Sequence, residues 1–214
     1  MNDAPQLESC NIILRKPINE DIRARKKLGI NRECIKMCGD IISDSDKFTM
    51  DDSVKWYERI VQHPCKWVIE YKGNCIGVVG LRPSTDDNKA KFSIEIYDNS
   101  VYSCGIGTKV TKMVLNYAFE VLEYHKIYLR VLDYNARAIK CYEKCGFIKE
   151  GVDREGTLIN GKFDEQSYAT GIMYNGDKLN FWGYGLYNDI ENQANIEDVC
   201  SRIFDTISQH ISPK

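Results

Sequence analysis

The segment Tyr102-Ser103-Cys104-Gly105-Ile106-Gly107-Thr108 is a Gly-x-Gly turn between a strand-like run, Phe92 to Tyr97, and a helix-like run, Lys109 to Glu123. Backbone N–H groups at a helix start have no partners within the helix and lie at the positive end of its dipole. A glycine turn there can wrap closely around a pyrophosphate. The N–H groups from Ser103 through Cys104, Gly105, Ile106 and Gly107 to Thr108 are therefore candidate phosphate ligands. A lone Gly-x-Gly also fits a plain strand-to-helix turn, so a second motif matters. It follows as Asn135, Ala138 and then Tyr142-Glu143-Lys144-Cys145-Gly146-Phe147. Tyr142 brings a hydroxyl that can give a proton, and Glu95, on the strand before the loop, a carboxylate that can take one.

Together the motifs resemble the GNAT superfamily of acetyl-CoA-dependent N-acetyltransferases, closest to its branch of ribosomal-protein N-terminal and polyamine acetyltransferases. That family's phosphate loop reads Gln/Arg-x-x-Gly-x-Gly/Ala, and its next motif reads Asn-x-x-Ala-x-x-x-Tyr-x-x-x-Gly-Phe. Every element of the second is present, at Asn135, Ala138, Tyr142, Gly146 and Phe147. The first departs once, with Tyr102 where Gln or Arg is usual. The resemblance spans about residues 8 to 174. It implies an α/β fold: a mixed, mostly antiparallel sheet with a central βαβ unit and flanking helices.

The resemblance also implies roles. Acetyl-CoA is the co-substrate, its pyrophosphate held by the loop from Tyr102 to Thr108. Asn135 bonds the peptide-like pantetheine arm. The backbone of Glu95, Ile96 and Tyr97, on a strand that splays from its neighbour, bonds the pantetheine amides and polarises the thioester carbonyl. Tyr142 is the general acid beside the CoA sulfur. Glu95 is the general base, directly or through water, because an amine with a pKa of about 10.4 must lose a proton before it attacks. Plainer readings stand beside these: Tyr142 as a core tyrosine, and Glu95 paired with Lys89 or Lys91. The expected partner is an amine-bearing acceptor, a protein N-terminal amine first, with a polyamine, amino sugar or amine-bearing antibiotic as the alternative. A non-catalytic acyl-CoA-binding protein is the rival from another class; an intact Tyr142 speaks against it.

The elements that must position these groups are legible. Asn11 to Lys16 reads as a strand ended by Pro17, and Asn19 to Cys38 as a helical stretch capped by Asn19 or Asp21 and broken at Gly29. Thr49 caps a helix on which Val54, Tyr57, Ile60 and Val61 recur at helical spacing; these helices would flank the substrate entrance. Lys66 to Tyr71 and Cys75 to Leu81 form a hairpin about Lys72-Gly73-Asn74. In the alternating run, Phe92, Ile94 and Ile96 share one face, and Ser93, Glu95 and Tyr97 the other. Lys126 to Leu132 completes a right-handed βαβ unit, with the cofactor at its carboxyl ends. Ala136 to Cys145 is a short helix. Phe147 to Arg154 and Glu165 to Met173 pair about Asn160-Gly161. Residues 175–214 form a C-terminal extension with an apolar stripe of Ile196, Val199, Ile203, Ile207 and Ile211, packed on the domain or joining two copies as a homodimer.

Composition excludes several classes. A net charge of −2 without a long basic run argues against nucleic acid as a partner. Asp3 and Glu8 precede any apolar run, and no stretch is long enough to cross a bilayer, so a cytoplasmic protein without a membrane partner is expected. The nine cysteines are odd in number, which fits reduced thiols. Cys34 and Cys38 have a ligand-like spacing, but none of the three histidines is near in sequence and no metal site is expected.

Overall fold

A computed structural model describes residues 4–40, 43, 46–84, 88–159 and 162–171, with the backbone alone beyond residue 152. The strands are β1 (Leu7–Ser9), β2 (Ile12–Arg15), β3 (Lys66–Tyr71), β4 (Asn74–Pro83), β5 (Lys89–Ile96), β6 (Lys126–Leu132), β7 (Phe147–Ile159) and β8 (Lys162–Gly171). They form one sheet in the order β1-β2-β3-β4-β5-β6-β8-β7. Every neighbouring pair is antiparallel except β5 and β6. The helices are α1 (Glu20–Leu28), α2 (Arg32–Cys38), α3 (Met50–Val61), α4 (Ile106–Asn116) and α5 (Ala136–Glu143).

Local chemistry sets the helix boundaries. Gly29, at φ +63°, divides the charged stretch into α1 and α2. Neither expected cap bonds the first turn of α1 through its side chain as a cap would. Asp21 instead accepts the Ile18 N–H at 2.8 Å and takes a two-pronged bond from Arg15 on β2, at 2.8 and 2.9 Å. Thr49 does cap α3: its hydroxyl accepts from Asp52 N (3.2 Å) while the Asp52 carboxylate accepts from Thr49 N (2.8 Å). In the β3–β4 turn the positive φ angles fall at Lys72 and Gly73, one residue earlier than a Gly73-Asn74 turn would require. The helix expected over 109–123 begins at Ile106 and gives way at Tyr117 to a wider π turn ending at Val121.

The sheet is covered on both faces, and the alternating run 92–97 meets a different cover on each. Phe92, Ile94 and Ile96 pack with Val110 and Val114 of α4 and Tyr142 of α5. Tyr97 packs on the other side with Trp56 and Ile60 of α3 and Val68 and Val78 of the sheet. The central hairpin β3–β4 supplies the fully buried Trp67, Ile69 and Leu81, each contributing about 1.5–3 kcal/mol through burial.

The feature that makes a site is a parting of strands. β5 and β6 pair only from Lys89 to Lys91 against Lys126 to Tyr128, yet run on to Ile96 and Leu132 along their other neighbours. Gly77 on β4 holds β5 in place there, because any Cβ at Gly77 would overlap the Glu95 carbonyl oxygen. The hairpin β7–β8 is longer than predicted. Its turn residues Asn160 and Gly161 and the whole of 172–214, with the expected domain boundary at 174 and apolar stripe, lie outside the described residues.

Candidate active site

The parted strands, the N-terminus of α4 and the face of α5 enclose a cavity of about 510 Å³, within the usual range for a small-molecule site. Its anion end is the loop entering α4. Ser103 and Gly105 both have positive φ, at 61° and 77°, and Gly105 occupies the N-cap without a side-chain bond to the helix. The first N–H groups of α4 are thus left unpaired by any cap, as an anion cradle needs. Gly107 is helical, and a Cβ there would meet Cys141 Sγ at 3.5 Å and Ile96 Cδ1 at 3.8 Å, ordinary contacts. Only Gly105 needs the conformational freedom of glycine.

Tyr97 N–H donates to Ile76 O at 2.8 Å. By the alternation of an antiparallel ladder, the backbone groups of Ile96 and Ile94 then face the opposite edge, where β6 has parted. Ile96 therefore presents backbone to the cavity. Tyr97 does not line this cavity, and its amide is paired within the sheet. Tyr102 does line it, but its hydroxyl turns inward, donating to Ile96 O at 2.8 Å and accepting from Asn31 Nδ2 at 2.8 Å. Ser103, Gly105, Ile106, Gly107 and Thr108 also border the cavity, whereas Cys104 is exposed and outside it. Asn135 reaches the wall, with Oδ1 accepting from Ala138 N (3.2 Å) and Nδ2 donating to Met37 O (3.3 Å).

Tyr142 lies deep in the same cavity, its ring edge-on to Phe92 and Phe147 at 6.2 and 5.6 Å. Among the described residues no group hydrogen-bonds its hydroxyl. Burial, with a smaller contribution from nearby Cys141, pushes the phenol above its ordinary range, so it holds its proton at all physiological pH. Cys141 and Cys145, half-buried and one turn apart, meet Thr108 of α4, Cys141 Sγ lying 3.4 Å from its Oγ1 and Cys145 Sγ donating to its carbonyl at 3.6 Å.

On the other side of α2 lies a second cavity of about 440 Å³, bordered by Arg25, Asp40, Asp52, Trp56 and Tyr97. The two share Cys34, Cys38 and Glu95. Glu95 thus stands where the two spaces meet. Its carboxylate accepts from Tyr97 Oη at 3.0 Å, and that hydroxyl in turn accepts from Trp56 Nε1 at 3.0 Å. Tyr97, itself held by Trp56, orients the Glu95 carboxylate. Arg25, 7% exposed, is sandwiched between the Phe48 and Tyr97 rings at 3.8 and 4.0 Å.

Sequence reading missed this arrangement and the roof that α2 makes. Asn31 caps α2 through Cys34 N (3.0 Å) and ties its start to Tyr97 O (2.8 Å). Its far end is held by Tyr134 Oη on Lys36 O (2.9 Å) and by Asn135, and its flank by Arg137 on Glu33 (2.6 Å). No group of three or more His, Cys, Asp or Glu among the described residues could hold a metal ion, and no described helix is long and apolar enough to cross a membrane.

A mostly antiparallel sheet parted at a βαβ unit, with an anion cradle at one end of the parting, defines the acyl-CoA-dependent N-acyltransferase class. The family model "Acetyltransferase (GNAT) domain" matches residues 11–148, and the chain belongs to that family, whose members use acetyl-CoA. A Vibrio cholerae spermidine N-acetyltransferase in complex with CoA and spermine superposes with a TM-score of 0.62 at 26% identity, covering 75% of this chain and 94% of that one. A GNAT-family acetyltransferase from Bacillus anthracis shares the fold at a TM-score of 0.68 and 13% identity, over 78% of this chain and 98% of that one. The spermidine N(1)-acetyltransferase of Escherichia coli K12 is 33% identical over 99 residues, 46% of this chain and 53% of that protein. That of Vibrio cholerae serotype O1 is 39% identical over 61 residues, 28% and 35% respectively. The chain spans between a third and about half the length of these curated relatives.

Proposed function

We propose that this chain transfers acetyl from acetyl-CoA to a primary amine of a polyamine by direct attack. The observation that carries the reading is the meeting of the two cavities at Glu95, one with an anion cradle and the other with Asp40 and Asp52 on its walls alongside Arg25, Lys55 and Arg59. The relatives favour a polyamine over the protein N-terminal amine that the sequence placed first. We assign the catalytic unit to residues 8–174 and read 175–214 as its extension.

The steps follow from the groups present. The α4 N–H groups hold the pyrophosphate, and the backbone edge at Ile94 and Ile96 lines up the pantetheine amides. The ammonium enters the second cavity, whose walls carry Asp40, Asp52 and Glu95 alongside Arg25, Lys55 and Arg59. Glu95, oriented by Tyr97, takes a proton from the amine directly or through water. The neutral nitrogen attacks the thioester carbon, forming a C–N bond and a tetrahedral oxyanion; collapse reforms the carbonyl, breaks the C–S bond and releases the second nitrogen proton to water, leaving a neutral amide and a CoA thiolate that is protonated from solvent. The Tyr142 hydroxyl donates a hydrogen bond to the departing sulfur. Because the amine and thioester meet in one place, no acyl-enzyme is required.

Steady-state acetylation of spermidine, spermine, an N-terminal peptide, an amino sugar and an aminoglycoside tests the acceptor. Spermidine or spermine should give a kcat/KM at least about tenfold above the others, a difference of about 1.4 kcal/mol. Asp40→Asn should raise KM for the polyamine while leaving that for acetyl-CoA in place. Acetylation of another amine in preference to both polyamines would overturn the acceptor but leave the chemistry standing.

A further inference from the structure

The loop that cradles phosphate carries no cation of its own: Tyr102, Ser103, Cys104, Ile106 and Thr108 are all neutral. Tyr102 cannot offer even its hydroxyl, which is engaged by Ile96 O and Asn31. Its ring, however, carries a guanidinium. Arg137 Cζ lies 3.8 Å from the centroid of Tyr102, and Nη1 donates to Glu33 Oε1 at 2.6 Å. Arg137 sits in the first turn of α5 and lines the same cavity as the loop. Lys140 and Lys144 follow at i+3 and i+7, on the same side of the helix, and line it too. Glu33 occupies only part of a fork with five donors, and the Arg137 side chain is 40% exposed, so the remaining N–H groups are accessible.

We infer that Arg137, stacked on Tyr102, is a pyrophosphate-binding residue. It supplies from α5 the positive charge that the α4 loop lacks, and Lys140 and Lys144 extend that charge along the cavity. Stacking on a rigid ring fixes a side chain that would otherwise lose rotamer freedom on binding. Tyr102 thereby contributes to anion binding without touching the anion. The inference rests on the reading of this cavity as the acetyl-CoA site.

Calorimetric titration of CoA and of pantetheine, which has no phosphate, tests it on the full chain. Arg137→Gln should weaken CoA by about tenfold, the scale of one charge-assisted hydrogen bond in a partly exposed place. Pantetheine affinity should not change, and the fall of CoA affinity with salt should become shallower. Adding Tyr102→Arg to Arg137→Gln should restore most of the lost CoA affinity, because the cation returns from the loop side. Glu33→Gln, which frees the guanidinium, should bind CoA as tightly as the wild type or more tightly. An unchanged CoA affinity in Arg137→Gln, an equal loss for CoA and pantetheine, or a Glu33→Gln loss matching that of Arg137→Gln would each overturn the inference. Wild-type protein that fails to bind CoA would instead overturn the assignment of the cavity itself.

Discussion

Replacing Tyr142 with phenylalanine removes one oxygen and keeps the ring that packs against Phe92 and Phe147. Since no described group bonds the hydroxyl, unfolding free energy should change by less than about 1 kcal/mol. The catalytic cost depends on which way a proton can move. A thiol has a pKa of about 8.5 and an ordinary phenol about 10, and burial pushes Tyr142 higher. Full proton transfer from Tyr142 to the thiolate is therefore uphill by at least about 2 kcal/mol. What the hydroxyl can give is a hydrogen bond to developing negative charge, worth about 1.5–3 kcal/mol. Its loss should lower kcat by roughly 10- to 150-fold, with little change in the Kd for CoA. Because the chain has nine cysteines that would react with thiol reagents, product is best followed by mass spectrometry of the acetylated amine. The deficit should shrink with an acetyl thioester of a more acidic thiol, whose sulfur needs less help to leave. A kcat equal to wild type across pH, or a deficit independent of the leaving group, would refute the placement of this hydroxyl at the sulfur.

Two further outcomes follow from the same geometry. Glu95→Gln should leave attack dependent on the small fraction of amine that is neutral in solution, so that kcat/KM rises about tenfold per pH unit from pH 7 to 9; a profile parallel to wild type would assign proton removal to another group. Gly105→Ala should destabilise the fold by about 1–2 kcal/mol, because φ at 77° disfavours a Cβ. Gly107→Ala, with room for its methyl, should leave the melting temperature in place and weaken CoA alone; equal melting losses at the two sites would contradict this contrast.

What the sequence made legible was mostly local. The turn chemistry around Gly105, the capping pair Thr49 and Asp52, and the alternation of β5 each depend on residues a few positions apart, and each pattern has a short-range physical cause. The placement of Glu95 on the face away from Phe92 followed from the period of two alone. The contacts that give Glu95 its setting do not have such a signature. Tyr97 was expected to bind cofactor through its backbone, but its amide pairs with Ile76 and its hydroxyl bridges Trp56 to Glu95, across 41 positions of chain. The roof over the site was equally hidden, since Tyr134 and Asn135 meet Lys36 and Met37 across 98 positions of chain. One long-range signal was available and unused: a glycine inside the apolar strand β4, Gly77, marks a close backbone approach.

The ladder between β4 and β5 also decides which chemistry each cavity receives. From Gly77 opposite Ile96 to Pro83 opposite Ala90 the pairing advances without a bulge. Inserting or deleting one residue between Phe92 and Glu95 would exchange the two faces beyond that point. Carboxylate would then face the thioester side, and isoleucine the amine. The reaction is thus encoded in the parity of a strand as much as in the identity of its residues. Changes of length belong in the 84–88 connection before β5, where they leave that parity untouched; within the strand itself, a conservative substitution is a smaller perturbation than any single-residue indel.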